Sequence, residues 1–231
     1  MPTILISGTN RGIGLEFARQ YAQDGWRVYA CCRHPDKARA LQQLAEKHKN
    51  ISLHALDVAD HKQIDTLAGE LHDVPIDILL NNAGVYAGAS DESLGTLNYE
   101  MWGKSFRVNT LAAAKMAEVF LDNVACGEKK LIVALSSLMG SMADNGSGGS
   151  YLYRSSKAAL NAVMVSLAVD LKPRRIGVLV LHPGWVKTDM GGPDAEISAE
   201  TSVRGMRAVM DKFKLKDSGR FIAYDGQELP W

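Results

Sequence analysis

The stretch "SYLYRSSK" at residues 150–157 holds two phenols and one amine within eight positions. A free phenol ionises near pH ~10 and is a poor acid–base catalyst at neutrality unless a nearby positive charge favours the phenolate. Residues four apart share a helix face, so Tyr153 and Lys157 form such a pair. Tyr151 has Ser155 at that spacing instead, and Lys157 lies off its face. Tyr153 is therefore the candidate general acid/base, with Lys157 expected to lower its pKa. A strand-like run, "KLIVALSS", ends at Ser136 and Ser137, and a hydroxyl there could bond both a substrate carbonyl and the phenol. The chemistry implied is proton transfer to a carbonyl oxygen.

A second constellation opens the chain. "ILISGTNRGIG" ends a strand and begins a helix, with Gly8, Gly12 and Gly14 in the turn. Glycines let backbone approach a pyrophosphate, and a helix N-terminus offers free N–H groups and a favourable dipole. The spacing is G-x-x-x-G-x-G, not the usual dinucleotide fingerprint. Where an NAD site places a carboxylate after the second strand, this chain has Arg33, and Arg11 lies within the glycine turn. Guanidinium groups attract a 2′-phosphate that a carboxylate would repel, so NADP(H) is the expected cofactor. Asp57 and Val58 close the third strand, where the acid either accepts from the adenine amino group or caps a turn.

Elements that position these residues are legible as alternation. Strand-like runs occupy 3–7, 27–32, 51–58, 76–84, 130–137, 176–184 and 220–224. Helical patterns occupy 13–24, 36–48, 61–72, 100–124, 152–171 and 198–213. Runs apolar on both faces, separated by helices, predict an α/β fold: a Rossmann-type, doubly wound, mostly parallel sheet of about seven strands within one domain, 1–231. The softest stretches are 143–150 and 188–198, the latter a candidate lid.

Composition sets limits. Lys plus Arg and Asp plus Glu number 26 each, so no global charge draws the chain to nucleic acid or an anionic membrane. No apolar run approaches the ~20 residues of a membrane span. The three cysteines form neither a disulfide framework nor a metal-ligand spacing, so no metal is expected. A strand beginning at Thr3 leaves no room for a leader, and a reducing, cytoplasmic setting is expected.

Taken together, "GTNRGIG", "NNAG" (81–84), "SS" (136–137), "YRSSK" (153–157) and "PGWVKT" (183–188) resemble the short-chain dehydrogenase/reductase family along nearly the whole chain. "YLYRSSKAALNAV" and "PGWVKTDMGGPDA" look most like its C-factor-like and Sniffer-like carbonyl reductase subgroup. The resemblance implies that Tyr153 is the general acid/base, that Lys157 lowers its pKa and holds the nicotinamide ribose, and that Ser137 orients the carbonyl. It implies that Asn109 holds a water in a proton relay. It assigns the cofactor to Gly8, Asn10, Arg11, Gly12, Ile13, Gly14, Arg33, Asp57 and Val58, to Asn82, Ala83 and Gly84 beside the adenosine ribose, and to Pro183, Gly184, Val186 and Thr188 at the nicotinamide end. The gap from Ser137 to Tyr153 exceeds the common family spacing by the residues "NGSGG", and Ser141 is the fallback serine.

The expected activity is NADPH-dependent reduction of a ketone, aldehyde or quinone. The alternatives are a signalling or cofactor-sensing protein with little turnover, and the same chemistry run toward oxidation. Tyr86, Met139, Tyr151, Trp185 and Met190 are the expected substrate-lining residues. The helix 152–171 is apolar almost all round and suggests a homodimer.

Overall fold

The computed structural model describes residues 1–86 and 94–231. Seven parallel strands form one sheet in the order β3-β2-β1-β4-β5-β6-β7. They are β1 (Thr3–Ser7), β2 (Arg27–Cys32), β3 (Ile51–Ala55), β4 (Ile78–Asn81), β5 (Leu131–Leu135), β6 (Gly177–His182) and β7 (Arg220–Ala223). Strand direction reverses its march at the β1–β4 boundary, where Leu5 pairs with Leu79. That boundary is the topological switch point, outside which ligands bind in open α/β sheets.

The central strands β1, β4, β5 and β6 are largely apolar because both faces are covered. Ile4, Ile6, Ile78, Leu80, Val133 and Leu181 face one side, with Phe17 and Tyr21 of α1 (Gly12–Gln23), Leu41 of α2 (Arg39–Lys47), and Val203, Met206 and Met210 of α8 (Ala199–Lys212). Leu5, Leu79, Ile132 and Val180 face the other. They meet Ile64 of α3 (His61–Glu70), Met116 of α5 (Ala112–Val119), Val124 of α6 (Leu121–Cys126), and Leu160 and Met164 of α7 (Tyr151–Asp170). Alternation sends Cys31 to one layer and Cys32 to the other; both thiols are free and buried. Among the described residues, no helix is long and apolar enough to cross a membrane, and no group of His, Cys, Asp or Glu is placed to hold a metal.

Several boundaries differ from the sequence reading. The strands expected at 51–58, 76–84 and 130–137 stop early, at Ala55, Asn81 and Leu135. Their last residues leave the sheet to form loops at its C-terminal edge. The helix expected at 36–48 is split by a 3₁₀ turn at Pro35–Lys37, since Pro35 fixes the first turn before α2 begins. The helix expected at 100–124 is four pieces: α4 (Tyr99–Phe106), a π turn at Arg107–Leu111, α5 and α6. The π turn carries Asn109, and π turns are concentrated at functional sites.

Candidate active site

The glycine turn is built by close approach. Gly8 and Gly12 adopt φ of 74° and 56°, a region where side chains are strained. A Cβ on Gly14 would lie 2.2 Å from the Gly8 carbonyl oxygen and 2.5 Å from Asn82 Nδ2. Asn82 explains that crowding: its Nδ2 donates to the carbonyls of Ser7 (2.8 Å) and Gly8 (3.0 Å). The Ser7 hydroxyl in turn accepts from the backbone N–H groups of Asn82 and Ala83, each at 3.1 Å. The β1 and β4 loops are thereby locked together. Arg11, the residue before α1, offers no side-chain cap, so the first N–H groups of that helix face the cleft.

A cleft of about 590 Å³ starts at this turn and runs along the sheet edge. Gly8, Asn10, Arg11, Gly12, Ile13 and Gly14 line its floor; Arg33, Asp57 and Val58 line one end. Tyr153, Lys157, Pro183 and Met190 line the other, with Asn82, Ala83, Gly84 and Thr188 between, Asn82, Ala83 and Thr188 lying against the glycine turn. Gly184 and Val186 shape the loop from behind. A Cβ on Gly184 would strike Ile197 and the Tyr224 ring, and Val186 is buried and bridges Ile197. Asp57 Oδ1 accepts from the Ala59 N–H at 2.9 Å, so one carboxylate oxygen is spent on the turn. Arg11 pairs with Asp189 of the opposite loop, both side chains exposed. Among the described residues Arg33 has no ion-pair partner and stands exposed at the cleft.

Gly14→Ala is expected to cost several kcal/mol, since its new methyl meets backbone rather than a side chain that can turn away. Chemical denaturation checks this. A variant as stable as the parent would show that the turn relaxes.

Tyr153 and Lys157 both stand in the opening turns of α7 and come together at the far end of the cleft. Lys157 is buried, its Nζ donates to the Leu135 carbonyl at 2.8 Å, and it lies 5.8 Å from the Tyr153 ring centroid. The Ser137 hydroxyl accepts from the Met139 N–H at 3.2 Å, and it lies near enough to the Tyr153 phenol to act against the rise in that group's pKa. The Ser136 hydroxyl donates to Asn161 Oδ1 at 2.6 Å, and Ser141 is buried on the carbonyl of Trp231 at 3.0 Å. Ser136 lines the cleft, whereas Ser137 lies beside the Tyr153 phenol. Gly140 presses the serine turn onto α7: a Cβ there would lie 2.9 Å from Lys157 Cβ.

The expectation that Lys157 depresses the phenol is corrected. Burial is the largest influence on Tyr153 and pushes its pKa up to about 12; the Ser137 hydroxyl opposes this and Tyr86 adds to it. The amine faces the ring and the Leu135 carbonyl, so its charge does not offset that rise. Burial lowers Lys157 itself to about 8. The free chain therefore holds a loaded phenol and an amine that loses its proton just above neutrality.

Asn109 serves as a brace. Its Oδ1 accepts from the Val85 N–H at 2.8 Å, and its Nδ2 donates to the Val85 carbonyl and the Ser156 hydroxyl, both at 2.9 Å. These bonds fix the π turn against the β4 loop and α7. Ser7, Val85 and Ser156 carry no motif, and sequence reasoning passed over them; only the fold brings them to the site. His182 was also missed. Burial holds its imidazole down at about 4, and its neutral Nδ1 accepts from the Leu138 N–H at 3.2 Å, steadying the serine turn.

The expected pocket is only partly assembled at the cleft. Met190 lines it; Met139, Tyr151 and Trp185 do not. Trp185 is half exposed and its Nε1 donates to the Gly191 carbonyl at 2.8 Å. Tyr86 lies outside the cleft lining too, but packs on Tyr153 at 4.8 Å between ring centroids and bonds Ser150 at 2.9 Å.

Comparison with known proteins agrees with this geometry. Residues 2–199 match the family described as short chain dehydrogenase. The chain is 43% identical over 157 residues to C-signal of Myxococcus xanthus, covering 68% of this chain and 93% of that protein. Among solved structures it is similar to the carbonyl reductase Sniffer of D. melanogaster, 33% identical with a TM-score of 0.92 over 100% of both chains. It is also similar to an NADPH-bound carbonyl reductase from chicken fatty liver, 31% identical with a TM-score of 0.92, over 100% of this chain and 99% of that one.

Proposed function

Because the chain belongs to the short chain dehydrogenase family, we propose that it is an NADP(H)-dependent oxidoreductase that reduces a ketone, aldehyde or quinone, with Tyr153 as proton donor. The observation that carries the reading is the meeting of Tyr153 and buried Lys157, with Ser137 beside the phenol, in a cleft that Arg33 also lines. The residues fit a dinucleotide: the uncapped start of α1 and the crowding around Gly14 form a cradle for a pyrophosphate. When bound, the nicotinamide supplies the hydride.

The chain's own residues do the rest. Arg33 offers a fork of donors to a 2′-phosphate, and Gly8 to Gly14 seat the pyrophosphate. Thr188 and the loop from Pro183 border the reactive end of the cleft. Ser137 and Tyr153 present hydroxyl hydrogens to the substrate oxygen, stabilising the charge that builds there. Tyr153 then delivers its proton to that oxygen. Lys157, charged below about pH 8, lines the same end of the cleft, where it is placed to hold the nicotinamide ribose.

Consumption of NADPH with para-nitrobenzaldehyde and with an aromatic ortho-quinone tests the reading, with NADH run beside it. Arg33→Glu is expected to weaken NADPH binding about ten- to hundredfold, the loss of a charge-assisted bond, while NADH binding changes less than about threefold. Equal losses for both coenzymes would remove Arg33 from the 2′-phosphate. The likeness to C-signal favours a second reading, a signalling protein of the same fold. The intact set of Ser137, Tyr153 and Lys157 supports turnover instead.

A further inference from the structure

The turn that carries Ser137 is fastened from behind by residues 227–231. After β7 the chain reverses. The Ala223 N–H donates to Gln227 and the Leu229 N–H to Phe221, each at 2.8 Å, and Ile222 bridges Glu228 in antiparallel fashion. This return lays the Trp231 ring on Phe221, with centroids 5.4 Å apart and planes 20° apart. The backbone oxygen of Trp231 then accepts three hydrogen bonds, from Ser141 Oγ at 3.0 Å, Met142 N at 2.6 Å and Ala143 N at 3.1 Å. Ser141 is almost fully buried and its hydroxyl also accepts from the Asp144 N–H at 3.1 Å.

Only the 3₁₀ turn Leu138–Gly140 separates Ser137 from Ser141. That turn is gripped on two further sides, by His182 at the Leu138 N–H and by α7 against Gly140. Arg154 reaches from α7 to the Met139 carbonyl at 3.5 Å and to Ser147 Oγ at 2.7 Å. The long segment between Ser137 and Tyr153 is thus anchored at both ends, and Trp231 fastens residues 141–143, just beyond the turn that His182 and Arg154 hold.

We propose that Trp231 is a positioning residue for the reduction, its ring pinned on Phe221 so that its backbone oxygen holds residues 141–143 and keeps the Ser137 hydroxyl aimed at the substrate carbonyl. The inference rests on the carbonyl-reductase reading. It assigns to Trp231 no contact with substrate or coenzyme. Its effect belongs to the chemical step, because the Trp231 contacts lie on the serine turn and not on the glycine turn.

Steady-state kinetics with NADPH and para-nitrobenzaldehyde test it. Trp231→Ala is expected to lower kcat about tenfold, as small misplacements of a catalytic group do, with KM for NADPH within about twofold of the parent. Trp231→Phe, which keeps a ring on Phe221, is expected to restore kcat to within about twofold. Ser141→Ala removes one of the three bonds and leaves the ring in place; a loss of about threefold is expected, and this variant decides the matter if Trp231→Ala does not fold. An unchanged kcat in folded Trp231→Ala or in Ser141→Ala overturns the proposal. So does a rise in KM for NADPH that matches the fall in kcat, which would mean general loosening. A parent protein that reduces no carbonyl compound refutes the functional reading instead, before any variant is compared.

Discussion

Tyr153→Phe is expected to lower kcat for carbonyl reduction by about 10²–10⁴-fold, the usual worth of a positioned proton donor. The change removes one oxygen. Packing against Tyr86, at 4.8 Å between centroids, survives it, so the fold and the cleft should be kept. NADPH binding is expected to change less than about threefold, because the cradle of Gly8 to Gly14 and the Arg33 end lie elsewhere in the cleft. The split matters more than the size of the loss. Were KM for NADPH to rise while kcat stayed, the phenol would be a binding group only. Single-turnover mixing of preformed binary complex with para-nitrobenzaldehyde, followed by NADPH absorbance, separates the two.

Lys157→Met is expected to produce two effects that differ in origin. Activity should fall by about a hundredfold or more, since the buried amine placed to hold the nicotinamide ribose beside Tyr153 is gone. Stability should change in a pH-dependent way. The lysine is brought down from 10.5 to about 8 by burial, which corresponds to about 3 kcal/mol between its protonation states. Below pH 8 the amine is charged in both folded and unfolded chains, and the full cost of burying that charge is present. Between 8 and 10.5 the unfolded chain binds the extra proton, so stability rises with pH. Above 10.5 both states are neutral and the cost is gone. The parent is therefore expected to gain about 3 kcal/mol relative to Lys157→Met across that window. Urea titrations at a series of pH values measure it, and parallel curves for the two proteins would mean that the buried amine is not strained. The same group predicts an alkaline fall in kcat near pH 8 in the parent that the variant lacks. Tyr153, pushed to about 12, remains protonated there and cannot be its source.

This ordering of pKa values was not legible in the sequence. Spacing four apart predicted that Tyr153 and Lys157 would meet, and they do. It could not show that the amine turns to the Leu135 carbonyl and the ring face, leaving burial to dominate the hydroxyl. Local periodicity found the seven strands because several are apolar on both faces, a property of the residues themselves. It ran the helix through 100–124 because nothing local marks the π turn. The turn is set by Asn109 reaching Val85 and Ser156, contacts 24 and 47 residues distant. Between the two serines the sequence reading prefers Ser137, which lies near the phenol, while Ser136 lines the cleft and donates to Asn161. The expected substrate wall is the part the cleft lining matches least: Tyr151 at the start of α7 and Trp185 in its loop are exposed outside it.

The central claim is that this chain moves hydride from NADPH to a carbonyl carbon while Tyr153 supplies the proton. NADPH carrying deuterium at both C4 positions tests it most directly, with para-nitrobenzaldehyde as acceptor and mass spectrometry of the product. The account predicts an alcohol with one deuterium at the carbinol carbon, formed by the parent and nearly absent with Tyr153→Phe. An alcohol without deuterium, or one formed equally fast by the variant, would contradict it.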